Sequence, residues 1–137
     1  FEAAAYLRKN GADTIRVKGL FSSSFEAYKR KSHLISSAEI FGRCAVAMTE
    51  SETEDIRIIA PQAADELLCI KGVDASFVIY KTGDVINISA RSLGAMNVQV
   101  IMEKLGGGGH QTMAAAQLKN MSERDAKIML INAINQD

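Results

Sequence analysis

Four consecutive glycines followed directly by a histidine, residues 106–110, constrain the fold of this chain more than any other feature. Each glycine loses more backbone freedom on folding than any other residue, so a run of four indicates a purpose beyond turning the chain. Before the run, residues 97–105 (NVQVIMEKL) carry apolar side chains with the spacing of one helix face. Asn97 is placed to cap that helix and Gly106 to end it. After the run, residues 114–118 (AAAQL) predict a strand, so we expect a helix, a glycine loop and a returning strand.

A β-hairpin is predicted just upstream of this unit. Residues 77–80 (FVIY) and 85–92 (VINISARS) flank a Lys-Thr-Gly-Asp turn, which favours two antiparallel neighbouring strands. Alternation along the second strand directs Ile86, Ile88 and Ala90 to the core. It directs the polar side chains to the opposite face: Asn87, Ser89 and Arg91.

The first part of the chain predicts alternating helices and strands. We expect a helix over residues 1–10 ended by Gly11, a strand over residues 14–17, and a helix capped by Ser24. The basic stretch in that helix is interpreted as a solvated face: Lys29, Arg30 and Lys31. Residues 44–48 (CAVAM) predict a buried strand, followed by an acidic loop at residues 50–55.

Two further helices complete the expected fold. One has Pro61 in its first turn and Gly72 at its end, and buries Ala63, Ala64, Leu67 and Leu68. The last has the capping signature of Ser122 with Asp125, and buries Ala126, Met129, Leu130, Ala133 and Ile134. The predicted fold class is α/β, a mixed α+β sandwich whose mixed sheet contains an antiparallel hairpin and is flanked by helices.

Composition limits the function classes. A chain of 137 residues suits one ordinary domain. Sixteen Lys and Arg balance sixteen Asp and Glu, so long duplex DNA is an unfavourable partner, although a local cluster of donors could still hold a small nucleotide. Cys44 and Cys69 lack zinc-site spacing and are interpreted as reduced thiols of a cytoplasmic protein, and no membrane span or signal peptide is visible.

Arg91 and the glycine loop are the best candidates for phosphate contacts. Arg91 offers a planar fork of donors, with hydroxyls of Ser89 and Ser92 nearby, although a surface salt bridge is an equal alternative for Arg91 alone. The amides of Gly107, Gly108 and Gly109 could surround an anionic oxygen, with His110 at the rim, although the run could also be a flexible connection. No serine-histidine-acid arrangement supports nucleophilic catalysis, and His33 is interpreted as a surface or packed residue.

These segments carry a resemblance to the DHH-associated domain of DHH superfamily phosphodiesterases. It is carried by residues 88–92 (ISARS), 97–110 (NVQVIMEKLGGGGH) and 114–118, extends upstream through ADELLCIKGVDASFVIYKTGD, and is similar above all to GdpP-type cyclic-di-AMP phosphodiesterases. The resemblance implies three segments: residues 1–22 as the end of a DHH domain, 23–36 as a connecting helix and 37–137 as the DHH-associated domain. Phe1 falls inside a helical pattern, so we expect a piece of a longer chain.

The resemblance also implies a division of roles. The DHH domain of such enzymes holds two manganese ions, but no DHH tripeptide occurs here, so the chain is expected to bind substrate and to be inactive alone. The implied substrate contacts are Arg91, His110 and the pocket-lining Gly107, Gly108 and Gly109, with Ser89, Ser92 and Asn97 as second choices. The partners implied are a cyclic dinucleotide or short oligonucleotide and the absent DHH domain, with a homodimer left open.

Two functions follow as hypotheses. The first is the substrate-binding domain of a manganese-dependent hydrolase that opens cyclic-di-AMP to linear pApA, facing the cytoplasm in a parent that could be membrane-anchored. The alternative is a nucleic-acid-binding module as in RecJ exonucleases or tRNA-editing proteins, or an oligoribonuclease or pApA phosphatase. Aromatic residues make up only 6% of the chain, which disfavours a platform that stacks single strands.

Overall fold

The computed structural model describes residues 14–49 and 52–136. Within these residues four helices flank one six-stranded sheet, which confirms the mixed fold class. The helices are α1 (Thr14–Ser36), α2 (Ile56–Leu67), α3 (Val98–Lys104) and α4 (Glu123–Asn135). The strands are β1 (Glu39–Phe41), β2 (Cys44–Met48), β3 (Ala75–Thr82), β4 (Val85–Ser92), β5 (Gly108–Gly109) and β6 (Met113–Lys119).

The strand order is β1-β2-β3-β4-β6-β5, and every neighbouring pair is antiparallel except β2 and β3. The parallel pair is separated in sequence by α2, as a crossover connection requires. The predicted hairpin of β3 and β4 is confirmed, with Thr82 paired to Val85 across a two-residue turn. Gly83 in that turn has a φ of 60°, a conformation that glycine adopts without steric cost.

The larger core lies on one face of the sheet, under α3 and α4. The predicted inward residues of β4 and the apolar stripe of the following helix are all buried there: Ile86, Ile88, Ala90, Val98, Ile101, Met102 and Leu105. Asn97 caps α3 as predicted, because its side-chain oxygen accepts the amides of Gln99 and Val100. Ser122 likewise caps α4 by accepting the Asp125 amide. Met129, predicted as buried in α4, is instead 38% exposed.

The second face of the sheet is covered only in part. Helices α1 and α2 pack over β2 and β3, where Ala63, Ala64 and Leu67 are buried as predicted against Val78 and Tyr80. On β6 the side chains alternate between buried and exposed. The exposed set, here called the open face of β6, comprises Met113, Ala115, Gln117 and Lys119. The second face therefore offers solvent-accessible sheet surface beside β4.

The start of α1 differs from the sequence prediction. Residues 14–17, predicted as a strand, are the first turn of α1, so Ser24 lies inside the helix and is not its N-cap. The β-propensity of this short run is a weak preference, and without a proline the helix can extend through it one hydrogen bond at a time. The predicted helix at residues 1–10, its cap Gly11, and residues 50 and 51 of the acidic loop lie outside the described residues.

The start of α2 also corrects the prediction. The helix begins at Ile56, so Pro61 lies in its interior and not in its first turn. The carbonyl of Asp55 accepts the amides of Ile58 and Ile59, and its carboxylate accepts the Arg30 Nε at 3.1 Å, so contact with α1 fixes an earlier start. The helix ends at Leu67, and Gly72 lies in the following turn with a φ of 90°.

The basic stretch of α1 makes specific contacts with α2. Arg30 pairs with Asp55, and the Lys31 ammonium lies 3.4 Å from a carboxylate oxygen of Glu66. Lys29 lies over the Phe25 ring and 3.7 Å from Glu26. The interpretation as a merely solvated face is therefore corrected for Arg30 and Lys31. No helix within the described residues is long and apolar enough to cross a membrane.

Candidate functional site

Arg91 is held on the second face of the sheet, at the penultimate position of β4. Its side chain is only 13% exposed. Its Nε donates to Asp65 of α2 at 3.1 Å and its Nη1 donates to the carbonyl of Ala90 at 2.9 Å. These two bonds fix the plane of the guanidinium, while its Nη2 group has no partner among the described residues. Arg91 therefore combines the salt bridge that was one alternative with free donors suited to a phosphate.

His110 lies at the same end of the sheet as Arg91, in the turn between β5 and β6. Its amide donates to the carbonyl of Met113 at 2.6 Å, and the Met113 amide returns a bond of 3.3 Å. Met113 in turn pairs with Arg91 across β4 and β6. The His110 residue is exposed. Arg91 and His110, the two strongest candidates from the sequence, are therefore both next to Met113, which pairs with Arg91 across the sheet and bonds to the His110 backbone.

The turn that carries His110 is tied to the start of α3. The Gln111 side chain donates to the carbonyl of Gly94 at 3.0 Å, and the Gln111 carbonyl accepts the Val98 amide at 3.0 Å. The Thr112 carbonyl accepts the Ser92 amide, also at 3.0 Å. The loop after β4 and the loop before β6 therefore form one hydrogen-bonded unit that fixes the backbone at both Arg91 and His110.

The glycines of the run differ in whether packing against β6 requires them. A Cβ on Gly107 would lie 2.1 Å from the carbonyl oxygen of Ala115, and one on Gly109 would lie 2.5 Å from the Cα of Ala114. These two glycines are required because the loop backbone lies directly against β6. A Cβ on Gly108 would meet none of the described residues within 4 Å, so packing against them does not explain that glycine. The Gly107 amide already donates to the Met102 carbonyl at 2.8 Å, and Gly108 and Gly109 pair with Ala115 and Ala114 of β6.

The second-choice residues differ in how far their polar atoms are engaged. The Ser92 hydroxyl donates to the Met96 carbonyl and accepts the Gly94 amide, so it orders the loop after β4. The Asn97 oxygen accepts the two amides of the α3 cap. Ser89 is buried beside Ala115, on the same face as Arg91. Ser92 and Asn97 therefore shape the loops around the site.

Two residues of the site were not predicted from the sequence. Asp65 orients Arg91, but nothing in a helical pattern distinguishes an acidic residue that reaches a neighbouring strand. Met113 lies between Arg91 and His110 and is 51% exposed. The exposure of Met113 could have been predicted from the alternation along residues 113–119. Ala114, Ala116 and Leu118 point to the core, so Met113 points outward.

No metal centre is formed by the described residues, which contain no group of three or more His, Cys, Asp or Glu side chains placed to hold an ion. Cys44 and Cys69 are both free thiols. Burial raises the pKa of the Cys44 thiol, and nearby Asp74 raises it further, so the thiolate is disfavoured.

A separate cleft of about 520 Å³ lies between α1, α2 and the end of β2, where Met48 and Thr49 contribute to its lining. Thr49 bonds to Ile79, whereas Arg91 pairs with Ser76 near the start of β3, so this cleft lies further along that strand. Of its three basic residues, Arg30 is already paired with Asp55. The cleft is therefore not the place where the predicted phosphate contacts meet.

Comparison with known proteins gives concordant results. The DHHA1 domain model matches residues 42–137. The chain is 49% identical over 98% of its length to the cyclic-di-AMP phosphodiesterase PdeA of Listeria monocytogenes, and 50% identical over 98% of its length to the cyclic-di-AMP phosphodiesterase GdpP of Geobacillus thermodenitrificans. It spans 21% of each of these relatives.

The fold is also found among solved structures. An exopolyphosphatase-related protein of Bacteroides fragilis superposes with a TM-score of 0.69 and 19% identity, covering 80% of this chain and 34% of that one. At that identity the likeness concerns the fold alone. The family match covers more than half of the chain and includes both Arg91 and the glycine loop, and the chain therefore belongs to the DHHA1 domain family.

Proposed function

We propose that this chain is the substrate-binding domain of a phosphodiesterase that hydrolyses cyclic-di-AMP, or a related short nucleotide, to a linear product such as pApA. The observation that carries the proposal is that backbone pairing places both Arg91 and His110 next to Met113, beside sheet surface that is open to solvent. Two relatives named as cyclic-di-AMP phosphodiesterases, at 49% and 50% identity, support the choice of substrate.

The proposed role of Arg91 is to neutralise a phosphate of the substrate. Its guanidinium is fixed by Asp65 and Ala90, so little side-chain freedom remains to be lost when an anion binds. The free Nη2 group supplies donors whose bonds to a phosphate oxygen are charge-assisted. Low exposure of the side chain strengthens this interaction, because water screens a partly buried charge less than an exposed one.

The proposed role of His110 is to donate a hydrogen bond to a phosphate oxygen. The turn that carries it is held by backbone bonds to Met113, so the side chain starts from a fixed position near Arg91. A donor placed where negative charge develops stabilises the transition state more than the ground state. Gly108 and Gly109 then line the approach to the two side chains, and Gly107 supports them by its contact with β6.

The hydrolytic chemistry is proposed to belong to a part of the enzyme outside this chain. Among the described residues there is no cluster that could hold a metal ion, and the chain spans about a fifth of its named relatives. We propose a DHH domain with two Mn²⁺ ions, which would supply an activated water. We propose that residues 1–22 are the end of this DHH domain, residues 23–36 a connecting helix and residues 37–137 the DHH-associated domain. Helix α1 crosses the first of these boundaries and ends at the second.

Calorimetric titration of the longer enzyme tests this proposal. Cyclic-di-AMP, pApA and a short RNA are titrated into the wild type and into Arg91→Ala and His110→Ala, with Arg124→Ala on α4 as a matched control. Loss of a charged hydrogen bond should weaken cyclic-di-AMP binding about 10- to 100-fold for Arg91→Ala and leave the control unchanged. Preferential RNA binding with a steep salt dependence would instead support the nucleic-acid-binding module.

A further inference from the structure

We propose that Met113 contacts a nucleobase of the substrate next to the phosphate that Arg91 holds. The inference rests on the proposed function and deepens it by assigning a residue that recognises the base. Met113 is opposite Arg91 in the register of β4 and β6, so the two side chains leave the same face of the sheet. Directly opposed residues have Cβ atoms about 4.5–5.5 Å apart, so the Arg91 and Met113 side chains leave neighbouring points of the sheet.

Met113 presents an apolar side chain to solvent beside Arg91. It is 51% exposed and belongs to neither of the two buried clusters of the fold. Leu93, which follows the end of β4, is 65% exposed at the same end of the sheet. An apolar surface beside a fixed cation matches a nucleotide, which combines an apolar planar base with an anionic phosphate.

The neighbouring surface leaves space for a planar group. Next to Met113 on the open face of β6 is Ala115, whose side chain is a single methyl group, and Ala115 pairs with Gly108 on β5. Within the part of the chain that the structure describes, a Cβ at Gly108 would meet nothing within 4 Å, so these residues leave the space above this glycine open. The sheet surface beside Met113 therefore consists of small residues whose side chains would not block a planar base.

The chemistry of the thioether sets the selectivity expected at this contact. Methionine sulfur is a weak acceptor and carries no donor, so Met113 offers contact area and no pattern of hydrogen bonds that reads a base edge. We therefore assign Met113 to the affinity for a purine base and not to the choice between adenine and guanine. Replacement by glutamine should lower the affinity for AMP and GMP by similar factors.

The experiment compares two competitive inhibitors of cyclic-di-AMP hydrolysis by the longer enzyme: AMP, and ribose 5-phosphate, which lacks the base. Met113→Gln keeps nearly the same shape and replaces an exposed residue, so the fold should be retained. We expect KM for cyclic-di-AMP and the inhibition constant of AMP to rise about tenfold, kcat to change less than twofold, and the inhibition constant of ribose 5-phosphate to stay constant. Met113→Leu should restore the wild-type values, and Met129→Gln on α4 should leave all of them unchanged.

The outcomes separate this inference from the proposed function. An unchanged inhibition constant of AMP in Met113→Gln, or an equal loss for ribose 5-phosphate, would overturn the role of Met113 while leaving the phosphate contact intact. Arg91→Ala should weaken both inhibitors. If neither compound inhibits the wild type, or if Arg91→Ala affects neither, the proposed function itself fails and the role of Met113 with it.

Discussion

Arg91 and His110 are linked through a single residue, because Met113 pairs with Arg91 across the sheet and bonds to the His110 amide through its carbonyl. Nineteen positions separate the two residues in the sequence, and the glycine run lies between them. Their proximity therefore depends on the register of β4 and β6 and on the short turn before β6. Arg91 and His110 therefore cannot move relative to each other unless the strand register or the turn changes.

Replacement of His110 tests its contribution to catalysis. In the longer enzyme we expect His110→Gln to lower kcat for cyclic-di-AMP about 100-fold, the loss typical of removing one donor to a transition-state oxygen. His33, the only other histidine of the chain, is exposed on α1 and supplies the matched control His33→Gln. Steady-state kinetics and manganese titration measure the effect, and Mn²⁺ binding should be equal in all three proteins. A loss of activity that is the same in both variants would contradict the assignment.

Replacement by alanine should lower stability at Gly107 and ligand affinity at Gly108. Gly107→Ala places a Cβ 2.1 Å from the Ala115 carbonyl, so we expect a loss of about 1–3 kcal/mol in the free energy of unfolding. Gly108→Ala meets open space and should leave stability within about 1 kcal/mol of the wild type. Its methyl group should nevertheless weaken cyclic-di-AMP binding, because it occupies the space that we assign to the ligand.

Urea unfolding and calorimetry separate the two glycine effects. Normal affinity of the Gly108→Ala variant would show that the ligand does not approach the loop at this position. Unchanged stability of Gly107→Ala would contradict the close approach of the loop to β6.

The sequence was most informative where local patterns and tertiary packing agree. The hairpin, the stripe of α3 and the caps at Asn97 and Ser122 depend on short-range spacing and were all predicted. The early starts of α1 and α2 were missed, since the start of α2 depends on a contact between Arg30 and Asp55 that spans 25 positions. The roles of Asp65 and Met113 were missed for a similar reason, because each depends on which residue of another element it faces.

The ion pair between Arg30 and Asp55 should make stability depend on pH. The hydrogen bond from the Arg30 guanidinium, aided by the Thr53 hydroxyl, lowers the pKa of the Asp55 carboxyl below its ordinary value of about 3.9. Since the folded-state pKa is depressed, the stabilisation is present above the unfolded pKa and is lost as the pH falls through the folded pKa. We expect Asp55→Asn to be less stable than the wild type at pH 7 and the difference to diminish below about pH 4.

Thermal unfolding from pH 7 to pH 2 measures this dependence. Asp84→Asn, at the exposed tip of the hairpin, serves as the control and should follow the wild type throughout. A difference for Asp55→Asn that stayed constant down to the lowest pH would show that the carboxylate charge does not contribute.

Removing the caps of α3 and α4 tests whether Asn97 has only a structural role or also contacts the substrate. Asn97→Ala removes the acceptor of two amides, and Ser122→Ala removes the acceptor of the Asp125 amide. Each should lower the free energy of unfolding by about 1 kcal/mol, the usual loss for a cap. Because the Asn97 oxygen is already engaged, we expect KM for cyclic-di-AMP in the longer enzyme to change less than twofold in both variants. An increase in KM confined to Asn97→Ala would instead make Asn97 a direct contact, through the side-chain NH₂ group that the cap leaves free.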